Sequence, residues 1–582
     1  MSSLDSLDSL GIEYNLKQSS LKDDYLSFYE REISYRLPNS FTLLIITNEK
    51  IEDVASVYSK KYPLSKIIVA SYGYESYTTS FLDNVVFHAF INLDALINQI
   101  SLIYFDAVIE HSSNRKSHKL KLFKKLFFRL PKGGVYFIQE LHAKFISGLI
   151  DCDGPDILDL INEVSQLKIS NNDRRKNADP YAVALAECCE SIFIKSKLGV
   201  LVKGKASFKS LRSNEAKNMI NSGSLKGSII VSNDNEFEFV HSITSVITPT
   251  GEPWRNPAKF KIPESFLAKY QSVHCDVGQI AYMDGYLLPD SFRMQHHKKL
   301  TNRNIISLVA DICLLKDEKP DPIHLAGEYF YLDSEYPGHF GHFTSEVVSR
   351  LWAWEEIKTR SPNAKVLIGL EKGKSLPSFI ETILSCYHIS RNEIQTFDSS
   401  ITVDVLYAAT PYYAIGNHIN PKIKDVWERI GESTNDGISG IIGNRLFISR
   451  PEGGERKCLN AEKLERIFFE RGFEFYNPEK YSWKDQVKTF SSADVIAGYA
   501  GSGTFNTMFA KGSKKIFIIG SDSYTATNEH YICAIKGYDL NYYLGDSLVK
   551  HGNVFSLKAF KSDYNFNYER DEESLIDALS KI

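Results

Sequence analysis

The sequence predicts an α/β protein of about three domains. Three observations carry that expectation: the chain has 582 residues, short apolar runs alternate with helical stretches, and the scheme recurs in two successive later blocks. From 1 to about 235 the strand candidates are "FTLLIIT", "SKIIVASY", "FDAVIEH", "GGVYFIQEL" and "SIFIKSK", spaced as in a mostly parallel, Rossmann-like sheet. A charged helical stretch over 153–190 interrupts that sheet before its closing strands. Polar and Pro-rich segments, "NSGSLKG" and "PTGEPWRNPAKFKIPE", place a domain boundary near 235. The block 236–430 carries "NIISLVADICLL", "KVLIGL" and "DVLYAAT", and the block 431–582 carries "RLFISR", "FEFYNP", "DVIAGYA" and "KIFIIG". Two such blocks predict paired Rossmann-like lobes with a ligand cleft at the C-terminal ends of their strands.

Composition removes several function classes. Hydrophobic residues make up 43%, charged residues 24% and aromatic residues 12%, so the chain folds rather than remaining disordered. A net charge of -4 gives no global electrostatic case for nucleic acid. The 8 cysteines show no C-x-x-C spacing, which fits reduced thiols in the cytoplasm better than disulfides or a zinc site. The N-terminal residues carry acids and no long apolar core, so no signal peptide is expected. No segment reaches the roughly 18 uninterrupted apolar residues of a membrane span, so any membrane contact is expected to be peripheral.

The stretch "DVIAGYAGSGTFNTMFAKGSKKIFIIG", 494–520, reads as strand, small-residue turn, helix and strand. Backbone N–H groups at Ser502, Gly503 and Thr504, after Gly501, would face an anion at a helix start, and a diphosphate suits that place. Glycines also mark ordinary tight turns. Upstream, "NRLFISRPEGGERKCLN" puts Arg450 at a strand end and Arg456 and Lys457 in the following loop. Those cations either project into the same cleft or form a solvated basic loop. In "EYPGHFGHFTSEVVSRLWAWEE", His342 and Glu346 stand four apart on a helix beginning near Phe343, which places an imidazole and a carboxylate on one face. The plain alternative is a helix-capping Glu346 and a core His342.

In order and spacing these motifs resemble glycosyltransferase family 61, over about 330–582. The matching positions are His342, Glu346 and Arg350, then Arg450, Arg456, Asn460, Glu462, Gln486, Gly501 and Asn506. The family often has His-Gly where this chain has Ala500-Gly501. The resemblance implies a two-lobed GT-B-type unit, with 236–430 on the acceptor side and 431–582 binding a nucleotide-sugar, UDP-linked by analogy. It also implies an inverting sugar transfer to a glycan or lipid-linked glycan, in the setting of bacterial capsule, lipopolysaccharide or other surface polysaccharide. Inversion needs a base for the acceptor hydroxyl and positive charge at the leaving diphosphate. Glu346 is the expected base, with His342 its partner or substitute. Arg450, Arg456, Lys457, Gln486, Gly501, Ser502, Gly503, Thr504 and Asn506 are the expected donor contacts, with no metal and no cofactor. A noncatalytic nucleotide-binding scaffold and a methyltransferase/glycosyltransferase bifunctional enzyme are the alternatives, and a homo-oligomer or other glycan-assembly enzymes are conceivable partners.

The segment "LIYFDAVIEHSSNRKSHKLKLFKKLFFRLPKGGVYFIQEL" resembles the later half of a class I methyltransferase, with an Asp-containing strand, a helix, a Gly-Gly turn and another strand. The loop after the first strand, "LLIITNEKIEDVAS", lacks the glycines that let a backbone approach the methyl donor. Domain 1–235 is therefore expected to be a degenerate, noncatalytic relative serving assembly or acceptor docking. Its helix "RKSHKLKLFKKLFFRL" spaces Leu120, Phe123, Phe127 and Leu130 among Lys119, Lys121, Lys124, Lys125 and Arg129. That pattern suits either a basic face on anionic lipid or a sheet-packed helix with a solvated outer face.

Overall fold

The computed structural model describes the chain apart from residues 1–4, 76, 101–102, 113–114, 171–174, 176, 250–256, 318–320, 435–442 and 451–452. Part of the Pro-rich boundary segment thus lies outside the described residues. The chain divides into two compact units. The first comprises Met1–Leu225, Tyr282–Pro289 and Lys299–Glu318, and the second Lys226–Ala281, Asp290–Lys298 and Lys319–Ile582. The sequence puts the break near 235. In the structure it falls at 225, and two later segments return to the first unit. One of them holds "NIISLVADICLL", which forms two short strands rather than one. Ile312–Leu315 pairs antiparallel with Phe208–Ser210, beside Ile305–Ser307. Ranges 236–430 and 431–582 do not separate into compact bodies.

The first unit is built on eight strands: β1 (Thr42–Thr47), β2 (Lys66–Tyr72), β3 (Tyr77–Leu82), β4 (Val85–Phe90), β5 (Ala107–His111), β6 (Val135–Ile138), β7 (Cys189–Lys195) and β8 (Leu198–Lys203). Their order is β3-β4-β2-β1-β5-β6-β8-β7. The five strands β4, β2, β1, β5 and β6 are parallel, and β8 enters antiparallel to β6. In β1 the alternation sends Leu43 and Ile45 to one apolar cluster and Leu44 and Ile46 to another. Both faces are covered, so the strand reads as an unbroken apolar run. The helix Lys116–Leu126 packs Leu122, Phe123 and Leu126 inward. Lys119, expected on the solvated basic face, is instead buried, with Nζ 3.3 Å from Glu110 and 2.7 Å from the carbonyl of Gln139. The sheet-packed alternative is the observed one.

Besides the small antiparallel pairs of Phe237–Val240 with Lys259–Ile262 and Tyr413–Ala414 with His418–Ile419, the second unit contains two main sheets. In the first, strands Ile401–Ala409, Ile323–Tyr331, Lys365–Gly369 and Ile394–Phe397 are parallel in that order, extended by the antiparallel Ser265–Asp276 and Gly227–Asp234. The second runs parallel through Ser245–Thr248, Asp539–Ser547, Lys515–Ser521, Val495–Tyr499, Arg445–Ile448 and Glu474–Tyr476, and the short Tyr564–Asn565 pairs antiparallel with Asp539–Ser547. One core joins the two sheets, running from Trp354 and Val366 through Trp427 to Trp483, Met508 and Tyr531. Such a shared core explains why the two sequence blocks form one body. Among the described residues no helix is long and apolar enough to cross a membrane.

Candidate active site

The segment expected as one helix from Phe343 changes its winding along its length. A turn at Phe340–His342 passes into a π-helix over Phe343–Val347, a 3-10 stretch over Val348–Ala353 and an α-helix over Trp354–Arg360. Wide π turns are local distortions that recur at functional sites. Here one brings Glu346 Oε1 to 3.2 Å from His342 Nδ1, as their spacing predicts.

A residue that the sequence reading missed decides the chemistry of this pair. Arg293, from a separate segment, donates to Glu346 from Nε at 2.5 Å and Nη2 at 2.6 Å, a two-pronged clamp. It also reaches His342 Nδ1 at 3.1 Å and Glu335 at 3.4 Å. Burial works to raise the Glu346 carboxyl, but the charge and hydrogen bonds of Arg293, with those of His342, hold it at about 2. Tyr336 stacks on the His342 ring at 4.7 Å. His339, 4.6 Å away on another side, is pushed down to about 4 by burial and by the neighbouring His342 and Arg293. Nδ1 of His342 is thus engaged, and Nε2 has no protein partner among the described residues. Arg350 is buried and bonds the carbonyl of Asp333, which makes it part of the support.

A second cluster forms around Gly501, whose φ of 141° is a conformation that favours glycine. A Cβ there would stand 3.2 Å from Arg456 Nη2 and 3.5 Å from Arg450 Nη2. The missing side chain is therefore what lets two guanidinium groups converge. Arg450 is held by the carbonyls of Ala500 and Glu455. Arg456 lies over the ring of Tyr524 at 4.4 Å. Neither pairs with a carboxylate among the described residues, and both Nε atoms are buried without a partner. Burial, and then repulsion from Arg456, pull Arg450 below its ordinary value, while Tyr564, Tyr524 and Glu529 work against them. Glu529, also absent from the sequence reading, accepts from the Gly501 N–H at 2.7 Å.

The other expected donor contacts divide. Ser502–Met508 is a seven-residue 3-10 helix, shorter than the helix expected, so its dipole is small. The Thr504 N–H is spent on the Gly501 carbonyl at 3.1 Å, and only Ser502 and Gly503 remain at the open end of the turn. Gln486 and Asn506 bond each other at 2.7 Å, while Asn506 also accepts from Trp483 and Gln486 donates to the carbonyls of Pro478 and Tyr481. Through these bonds they brace the turn. Lys457 is exposed, and its N–H donates to Asp563. The two clusters adjoin: a Cβ on Gly341 would lie 3.0 Å from Ser502 Cβ, and Tyr413 feels the charges of both Glu346 and Glu529.

Fold and site together define an α/β chain in which a pair of arginines at a glycine turn adjoins an imidazole–carboxylate cluster. Residues 340–517 match the family described as Glycosyltransferase 61. No curated protein matches the chain. Among solved structures, the chain is similar to the MycE methyltransferase from the mycinamycin biosynthetic pathway in complex with Mg, SAH and mycinamycin VI. Identity there is 16%, coverage is 35% of this chain and 56% of that one, and the TM-score is 0.26. A second crystal form of MycE with Mg and SAH gives 18% identity, 35% and 54% coverage, and a TM-score of 0.28. The chain thus spans little more than half the length of these proteins.

Proposed function

We propose that the second unit is an inverting glycosyltransferase of the GT-B type that moves a sugar from a nucleoside diphosphate donor, UDP-linked by analogy, to the hydroxyl of a glycan or lipid-linked glycan. Bacterial surface polysaccharide synthesis at the cytoplasmic side is the setting that follows. The observation that carries this reading is the pair of half-buried guanidinium groups at Gly501, with no carboxylate ion pair among the described residues, beside the His342–Glu346 cluster.

His342 is the proposed base, in place of Glu346. A carboxylate clamped by Arg293 and held at about 2 is a poor proton acceptor near neutrality. It serves instead to orient the ring: Nδ1 faces both the donor Arg293 Nη2 and the acceptor Glu346, and in the tautomer that donates from Nδ1 to Glu346, the one the reaction uses, Nε2 is left bare. In the step, Nε2 takes the proton of the acceptor hydroxyl as its oxygen bonds the anomeric carbon. The bond from that carbon to the phosphate oxygen breaks, and the electron pair leaves with the diphosphate. Arg450 and Arg456 stabilise that charge, without requiring a metal.

The first unit is proposed as a noncatalytic methyltransferase-like module for assembly or acceptor docking. In a sheet of this kind ligands bind where strand order reverses, between the ends of β1 and β5. There Gln18 reaches Glu49 at 2.9 Å and His111 at 3.4 Å, and Thr47 reaches His111 at 3.3 Å, so the chain's own side chains fill the crevice. Burial, then Lys119 and Lys17, push His111 down to about 3.

The test is thermal stabilisation by UDP, GDP, dTDP, CMP and S-adenosylmethionine without added metal. A ligand at 100 times its Kd stabilises the folded state by about 2.7 kcal/mol. One nucleoside diphosphate is expected to raise Tm, and Arg450→Ala to abolish most of that rise. Stabilisation by none of the diphosphates would overturn the reading, and stabilisation by S-adenosylmethionine alone would move the chemistry to the first unit.

A further inference from the structure

Glu529 stands against Gly501 and beside the two arginines, yet it forms no ion pair with them. It lies on the helix Asn528–Lys536 and is 3% exposed. Oε1 accepts from the Gly501 N–H at 2.7 Å, while Oε2 is buried with no hydrogen-bond partner. An orphaned, buried carboxyl oxygen costs more when the group carries charge than when it carries a proton. We propose that Glu529 is a proton gate on the anion site: as a carboxylate it holds the Gly501 N–H and repels the donor's diphosphate beside Arg450 and Arg456, and it must take up one proton for the diphosphate to bind. This inference rests on the nucleoside diphosphate reading above.

Burial raises the Glu529 carboxyl, and although the Gly501 N–H, Arg456 and Arg450 pull against it, it comes to about 7. The other charged or titratable groups facing it are Arg450, Arg456, Tyr524, Tyr413 and Cys533. Burial drives both tyrosines and the cysteine well above their ordinary values, and the guanidinium groups stay charged. Glu529 is thus the member of this set that changes charge between pH 6 and about 8.5. An incoming diphosphate raises its pKa further, so binding draws in a proton wherever free Glu529 is ionised.

The experiment is calorimetric titration of the whole chain, wild type, Glu529→Gln and Glu529→Asp, with the diphosphate that stabilises it best, at pH 6 and pH 8. At pH 8 the wild type should bind about tenfold more weakly than Glu529→Gln, with near equality at pH 6, because a group of pKa near 7 is about nine-tenths ionised at pH 8. Taking the ratio of the two proteins cancels titration of the nucleotide and of every group the two proteins share. Wild type at pH 8 in buffers of different ionisation enthalpy should show uptake of about one proton, a readout that needs no variant. Glu529→Asp should keep the pH dependence. Tight, pH-independent wild-type binding with no proton uptake would overturn the gate while leaving the donor site intact. Absence of binding at both pH values would overturn the donor site, and the gate with it.

Discussion

His342→Ala is expected to lower kcat by about 10²–10⁴-fold, the usual span for loss of a general base, with the Kd for the nucleoside diphosphate unchanged. In the proposed step the ring acts in proton transfer, and it contacts Glu346 rather than Arg450 or Arg456, so donor binding is expected not to draw on it. Single-turnover transfer, with donor binding measured on the same sample, separates the two effects. Full turnover in His342→Ala would exclude it as the base and return that role to Glu346 despite the Arg293 clamp. Weaker donor binding with unchanged single-turnover rate would instead assign His342 to the donor side.

Arg293→Met is expected to destabilise the second unit by about 3–5 kcal/mol, because it strands Glu346 as an unpaired charge in a buried site. The side chains of the pair are only 9% and 10% exposed, so solvent does little to screen them. Arg293→Met with Glu346→Leu should recover most of the loss, since replacing both charges removes the stranded one. Acid unfolding gives an independent check. Glu346 is held at about 2, below an unfolded value of about 4.3, so its contribution is present above pH 4.3 and fades as pH falls towards 2. In Arg293→Met that acid-dependent portion should disappear. An unchanged urea midpoint for the single variant would show that the clamp does not form in solution.

Much of the frame was legible because periodicity is local. "FTLLIIT" and "DVIAGYA" are apolar on both strand faces, which only a covered parallel sheet accommodates, and both are central strands. His342 and Glu346 were legible as neighbours because one turn separates them, and Gly501 was legible because a turn with this backbone tolerates few other residues. The helix 116–126 shows the limit of pattern: Lys119 stands among lysines, yet its inward position is paired with Glu110 from another element.

By itself the sequence determined the α/β class, several strands of the second unit such as Lys365–Gly369, Ile401–Ala409, Val495–Tyr499 and Lys515–Ser521, the imidazole–carboxylate pair and the arginines near the glycine turn, while Ser265–Asp276, Ile323–Tyr331 and Asp539–Ser547 went unread. Tertiary structure alone decided which of those groups remain available for chemistry. Arg293 meets Glu346 across 53 positions of chain and turns an expected base into a locked anion. Glu529 reaches Gly501 across 28 positions and places a carboxyl where an anion was expected, while Gln486 and Asn506 spend their amides on each other across 20. The physical reason is that a side chain's charge and hydrogen-bonding capacity belong to its neighbours as much as to its type. Those neighbours come from segments whose local sequence carries no signal of the meeting.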